Sequence, residues 1–173
     1  MLIHNYVISR LDYCNSIYYG LPNYLLKKLQ NILNRAARLI RGLSPYDRIT
    51  PVLIDLHWLP IKARIIFKIN VFTFQAMKYG KPVYLRELLH DFQPEVNVTL
   101  RHNEELFRLE MPRSNSENGF RAFEKCAPRL FNSLPYNVRA SQNVEIFRKR
   151  LKTFLFEEAF DMNSLSIVDS YRV

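Results

Sequence analysis

The sequence predicts a mainly α protein, a bundle of about six to seven helices with a small β-hairpin insertion near 97–118. Three observations predict it. The chain has 173 residues, 48% of them apolar and 24% charged, which is too apolar for disorder throughout and long enough for one real core. Pro22, Pro51, Pro60 and Pro82 each stand just ahead of an apolar run of helical period. Proline suits the first turn of a helix, where its missing N–H would have no partner anyway. Only 4 residues are Gly, and no Walker-type or Rossmann-type fingerprint is present.

These signals predict helices at 2–18, 22–41, 51–57, 60–79, 82–90, 119–133 and 143–159. Thr50 is expected to cap the helix that Pro51 opens. The helix from Pro22 to Arg41 is the clearest. Leu25, Leu29, Ile32, Leu33, Ala36 and Ile40 recur at three- and four-residue spacing and predict one inward face. Lys27, Lys28, Arg35, Arg38 and Arg41 fall in the opposite arc, with no acid among them, and Gly42 is placed to end the helix. Outer faces usually mix signs for i,i+4 pairing, so five cations together point to a polyanion more than to a merely solvated surface.

The helix from Pro60 is apolar nearly all round, from Ile61 through Ile65, Ile66, Ile69 and Phe72 to Met77, so it is expected to be buried on most sides as the central helix. Its few cations must snorkel. Past Pro94 the pattern changes to period two, with Phe107, Leu109 and Met111 on one face of a short strand, for which 97–101 or 113–118 could supply a partner. The last helix carries Val144, Phe147, Leu151, Phe154 and Leu155 on one side and a second basic cluster at Arg148, Lys149, Arg150 and Lys152. Residues 161–173 lack periodicity and read as a disordered tail. The expected organisation is therefore a basic helical bundle over 1–93, a small α+β segment with C-terminal helices over 94–160, and the tail.

Charge is unevenly placed along the chain. Residues 1–80 hold 11 Lys/Arg against 3 acids (Asp12, Asp47, Asp55), a net of +8, while residues 81–173 hold 14 against 13. A basic half beside a neutral half suggests that the first half faces a polyanion. Two distant cysteines, Cys14 and Cys126, make no disulfide framework, and the four histidines have no ligand-like spacing. No cofactor and no metal site is expected. The N-terminal MLIHNYVISRLDYC has neither a basic leader nor a small-residue cleavage site, and no stretch reads as a membrane span. The expected location is intracellular, in nucleus or cytoplasm.

A catalytic constellation is not found. Neither cysteine has a His nearby in sequence, and the basic half has only three acids, none adjacent to another. Asp12 and Asp47 sit beside Arg10 and Arg48, which suggests ordinary ion pairs or caps. His57-Trp58 stands between two Pro-started helices, ahead of Pro60, where the chain must turn. Corner packing of the Trp is favoured over base stacking there, although the Arg-rich surroundings suit either.

Four collinear blocks carry a family resemblance. They are Ser9-Arg10-Leu11-Asp12-Tyr13-Cys14-Asn15-Ser16 with Gly20-Leu21-Pro22; Ile49-Thr50-Pro51-Val52-Leu53 running into Leu56-His57-Trp58-Leu59-Pro60-Ile61; Arg121-Ala122-Phe123 with Ala127-Pro128-Arg129-Leu130-Phe131-Asn132-Ser133-Leu134-Pro135; and Phe147-Arg148-Lys149-Arg150-Leu151-Lys152-Thr153-Phe154-Leu155-Phe156. On these blocks the chain resembles the C-terminal region of the reverse transcriptase of non-LTR retrotransposons, the LINE-type elements of the CR1, L2 and jockey kind. Phe131 stands where that family commonly has Trp. The family's aromatic-x-Asp-Asp metal motif lies upstream of the resembling region, and this chain contains no Asp-Asp.

The resemblance implies a position after the palm, in the thumb and the helical segment beyond it, gripping a template–primer duplex. No catalytic residue carries over, so the chain is not expected to be an enzyme by itself. The implied partners are RNA, DNA or an RNA–DNA hybrid, bound without regard to sequence, together with a separate polymerase palm domain. The alternative is a protein–protein packing module, or an inert remnant of a truncated element.

Overall fold

The computed structural model describes residues 3–92, 108–112 and 119–160. Among them are eight α-helices and no strand. A π-helical turn, His4–Ile8, leads into α1 (Ser9–Asp12), and a 3-10 turn follows at Asn15–Tyr18. Then come α2 (Asn23–Arg41), α3 (Thr50–Asp55), α4 (Ile61–Tyr79) and α5 (Val83–Arg86). After a 3-10 turn at Gly119–Arg121, the chain forms α6 (Phe123–Asn132), α7 (Tyr136–Arg139) and α8 (Val144–Phe160). The mainly helical class expected from the sequence is the one observed.

The described residues fall into two compact units. Those up to Lys68 and from Lys152 onward form one, and Ile69–Leu151 form the other. Both divisions fall inside helices, α4 and α8. The expected tail, 161–173, lies outside the described residues.

In the first unit, α2 packs on α3 and on the N-terminal turn. Its buried residues are Leu26, Leu33, Ala36 and Ala37. The inward face is thus rotated from the expected one, and Ile32 and Ile40 are exposed. The helix ends at Gly42, which adopts φ 64° while Leu43 N–H reaches back to Arg38 O at 3.0 Å. That left-handed cap is open to glycine without a Cβ penalty. The first N–H of α4 has an unusual cap. Ile61 N–H donates to Gln30 Oε1 on α2 at 2.9 Å, so one helix satisfies the orphan donor of another. Thr50 does not act as the expected cap. It is itself the first residue of α3, with no side-chain cap bond, and Pro51 falls in the first turn. None of the residues from Ile61 to Met77 is exposed, as expected of an all-round apolar helix.

The second unit is centred on Phe147, which is fully buried and stacks on Phe74 with ring centroids 4.2 Å apart, with Phe131 on another side at 6.3 Å. Asn143 caps α8 by accepting Ile146 N–H at 2.8 Å. The β-hairpin is not seen among the described residues. Instead one isolated antiparallel bridge joins Asp91 and Leu109, with Phe92 N–H to Arg108 O at 3.1 Å and Glu110 N–H to His90 O at 2.9 Å. Leu109 is buried, but Met111 is exposed. Both proposed partner stretches, 97–101 and 113–118, lie outside the described residues. The Leu109 backbone is held on its other edge by Asn132, whose Oδ1 accepts its N–H at 2.9 Å and whose Nδ2 donates to its carbonyl at 2.8 Å. A side-chain amide here does what a neighbouring strand would do.

Candidate nucleic-acid interface

The five cations of α2 separate into two groups. Lys27, Lys28 and Arg35 are exposed and make no ion pair with another described residue. Arg38 is half-buried and donates through Nη2 to Asp47 O at 3.1 Å, and its buried Nε has no partner. Arg41 is paired with Asp55 at the end of α3. The expected five-cation face is therefore three outward cations and two that tie α2 to the loop and helix after it. Geometry explains the split. Arg41 follows Ala37 by one turn and so leans toward the packed side, where Asp55 meets it.

The outward stripe is not purely polar. Tyr24, Ile32 and Leu39 are exposed, Leu39 to 70%, and each is three or four residues from Lys28 or Arg35. In the second basic cluster Arg148, Lys149 and Lys152 are exposed, while Arg150 Nη1 donates to Asn137 O at 2.6 Å.

His57 and Trp58 form the end of α3. Trp58 N–H donates to Leu53 O at 2.9 Å and His57 N–H to Ile54 O at 3.0 Å, the pair of bonds of a Schellman motif. That motif needs a left-handed residue between them, and His57 supplies it at φ 52° where glycine is usual. Its ring is exposed and lies over Phe156 at 5.8 Å, nearly parallel. Trp58 is only 7% exposed, so it offers no free face for a stacked base. Pro60 then precedes α4, and its carbonyl accepts Arg64 N–H at 3.0 Å.

Asp12 does not pair with Arg10. Arg64 Nη1 reaches both of its carboxylate oxygens, at 3.0 and 2.8 Å, and Arg64 Nε holds Leu59 O at 2.8 Å. Asp47 accepts Ser44 N–H at 2.7 Å and closes a turn, leaving Arg48 out of it. Beside the Asp12–Arg64 pair is a cavity of about 310 Å3 lined by Ile8, Asn15, His57, Trp58, Phe67, Lys68 and Lys152, among others. Sequence reasoning placed Lys152 and His57-Trp58 in separate features and missed Asn15, Arg64 and Lys68. The early signal was the set of cations in an otherwise apolar helix, Lys62, Arg64 and Lys68.

Burial pushes the Cys126 thiol up to about 12, so it stays protonated at neutral pH, and Cys14 is exposed. Among the described residues no group of three or more His, Cys, Asp or Glu could hold a metal ion. No described helix is long and apolar enough to cross a membrane. No family model matches this chain, and neither a curated protein nor a solved structure matches it.

Proposed function

We propose that this chain is a non-catalytic helical module that binds nucleic-acid backbone, RNA, DNA or a hybrid, without regard to sequence. The carrying observation is the outward face of α2. Lys27, Lys28 and Arg35 project from a 19-residue helix that contains no acid, within a chain region of net +8. The resemblance to the C-terminal region of a non-LTR retrotransposon reverse transcriptase supports the same reading, as a thumb-like part working with a separate palm. In that setting the metal-binding carboxylates would come from the partner. The chain supplies grip, and RNA-directed DNA polymerase activity is not assigned to it alone.

A binding titration against an RNA–DNA hybrid and single-stranded RNA at several salt concentrations tests this. Affinity that falls steeply with salt is expected. Affinity independent of salt would remove the reading.

One observation favours a second reading, a protein–protein packing module. Tyr24, Ile32 and Leu39 interrupt the basic stripe with exposed apolar surface. Self-association that persists in high salt, without nucleic-acid binding, would favour it.

A further inference from the structure

Trp58 is too buried to carry a stacked base, but other aromatic rings of the first unit are not. From His4 to Asp12 the chain is one helical run, a π-turn continued by α1. Ile8 and Leu11 are buried on its inner side. Tyr6, Arg10 and Tyr13 are exposed, the two tyrosines to 67% and 75%. Tyr6 precedes Arg10 by four residues and Tyr13 follows it by three, the spacing of neighbours on one helix face. Exposed rings scattered singly are ordinary. Two on one short face, with an arginine between them, combine the aromatic and cationic contacts that single-strand binders use.

These groups are not spent on the fold. Arg10 makes no ion pair with another described residue, and neither tyrosine stacks on another described ring. The acid of the run, Asp12, is matched by Arg64 and so does not stand bare against a phosphate. The run also packs on α2, so the rings belong to an element that touches the basic helix.

We propose that this face is a stacking platform for unpaired bases, which makes a single strand the nucleic acid it takes. Tyr6 and Tyr13 each take the flat face of a base, and Arg10 takes a phosphate between them. At about 1.5 Å of rise per residue the two Cα atoms are roughly 10 Å apart along the run, room for two or three nucleotides spaced by about 3.4 Å. Every base has a π-face, so the platform is indifferent to sequence. A duplex keeps its base faces inside its own stack and offers the platform only phosphates. The proposal rests on the nucleic-acid reading above and adds to it a contact that is not counterion release.

Fluorescence anisotropy with three labelled probes tests it: oligothymidylate, an abasic strand of the same length and charge, and an RNA–DNA hybrid. Two stacked bases at about fivefold or more each should make oligothymidylate bind about 25-fold or more tightly than the abasic strand. Tyr6→Ser with Tyr13→Ser is expected to erase that preference, leaving the abasic strand, the hybrid and the salt slope unchanged. Tyr6→Phe with Tyr13→Phe keeps the rings and is expected to keep the preference. Equal affinity of the unaltered protein for oligothymidylate and the abasic strand, with a steep salt slope, would overturn the platform and leave the α2 grip standing. So would a preference that survives the serine variant. Equal loss of all three probes in that variant, or loss in the phenylalanine variant, would point to a general defect and overturn it too. A base preference kept by Lys27→Gln, Lys28→Gln, Arg35→Gln, with an unchanged slope, would remove the α2 reading and keep the platform. Binding of no probe at all would remove both.

Discussion

Changing Lys27, Lys28 and Arg35 to Gln tests the division of the α2 cations. Each cation that neutralises a phosphate adds about 0.9 to the slope of log affinity against log salt for a duplex, and about 0.7 for a single strand. Three contacts make a slope change of roughly 2.7 or 2.1. Over a fourfold change in salt that is a factor of about 18 to 42 in affinity that the variant no longer loses. The three positions are exposed, and Lys, Arg and Gln have similar helix propensities, so stability should stay within about 0.5 kcal/mol. Arg38→Gln with Arg41→Gln should do the reverse. These residues are spent on Asp47 O and Asp55, so the double variant costs about 1 kcal/mol of stability and changes the slope little. Fluorescence anisotropy with a labelled hybrid at several KCl concentrations reads the slope, and urea denaturation reads the stability. A slope unchanged in the triple variant, or carried instead by Arg38 and Arg41, refutes the assignment of outward and inward cations.

Three further outcomes follow from the geometry. Asn132→Ala strips both backbone groups of buried Leu109 of their partner, and at about 1–3 kcal/mol for each unsatisfied group the loss should be roughly 2–6 kcal/mol in a urea melt. A loss under about 1 kcal/mol would mean that water replaces the amide. His57→Val should cost about 1–3 kcal/mol more than His57→Gly, because a β-branched residue resists the left-handed conformation that glycine accepts. Equal melting temperatures for the two would dissociate the turn from its φ. The Cys126 thiol is raised by burial from 9.0 to about 12. The native state therefore holds the proton that the unfolded chain releases above pH 9, and stability is intact below that pH. It falls by at most about 1.4 kcal/mol per pH unit on the way to 12. Cys126→Ala should flatten that decline, and a thiol reagent should find one reactive cysteine in the folded protein and two in the unfolded one.

Helix positions were legible because they rest on local signals. Proline before an apolar run marked α2, α3, α4 and α5, and Gly42 marked the end of α2. The face of α2 was less legible. Leu25 and Leu26 both satisfy a three-and-four spacing, and which of them turns inward is decided by α3 and the N-terminal turn. Small Ala36 and Ala37 allow close approach there, while larger Ile32 and Ile40 are left outside. Partners far apart in sequence were not legible at all. Asp12 could be assigned by proximity to Arg10, two positions before it, yet Arg64, 52 positions on, holds it. The Asn132–Leu109 clasp and the Gln30–Ile61 cap have the same character. A lone amide carries no periodic signal, so only the fold shows which backbone group it meets.

The two readings of α2 make opposite demands on the same stripe, and salt separates them. Lys28 and Arg35 gain from a phosphate mainly through released counterions, a term that shrinks as salt rises. Tyr24, Ile32 and Leu39 gain only when surface leaves water, a term that salt does not screen. A strand that touched phosphates alone would leave these apolar side chains wet, and its affinity would extrapolate to almost nothing at high salt. A protein partner that covered them would have to match or strip three cations, and would bind with a shallow slope and a large residual affinity. A nucleic acid whose bases or sugars also pack on Tyr24 and Leu39 would show both a steep slope and a residual term. Tyr24→Ser with Leu39→Ser should then remove the residual term and leave the slope intact. If the double variant instead changed the slope, the exposed apolar residues would be acting only by positioning the cations beside them.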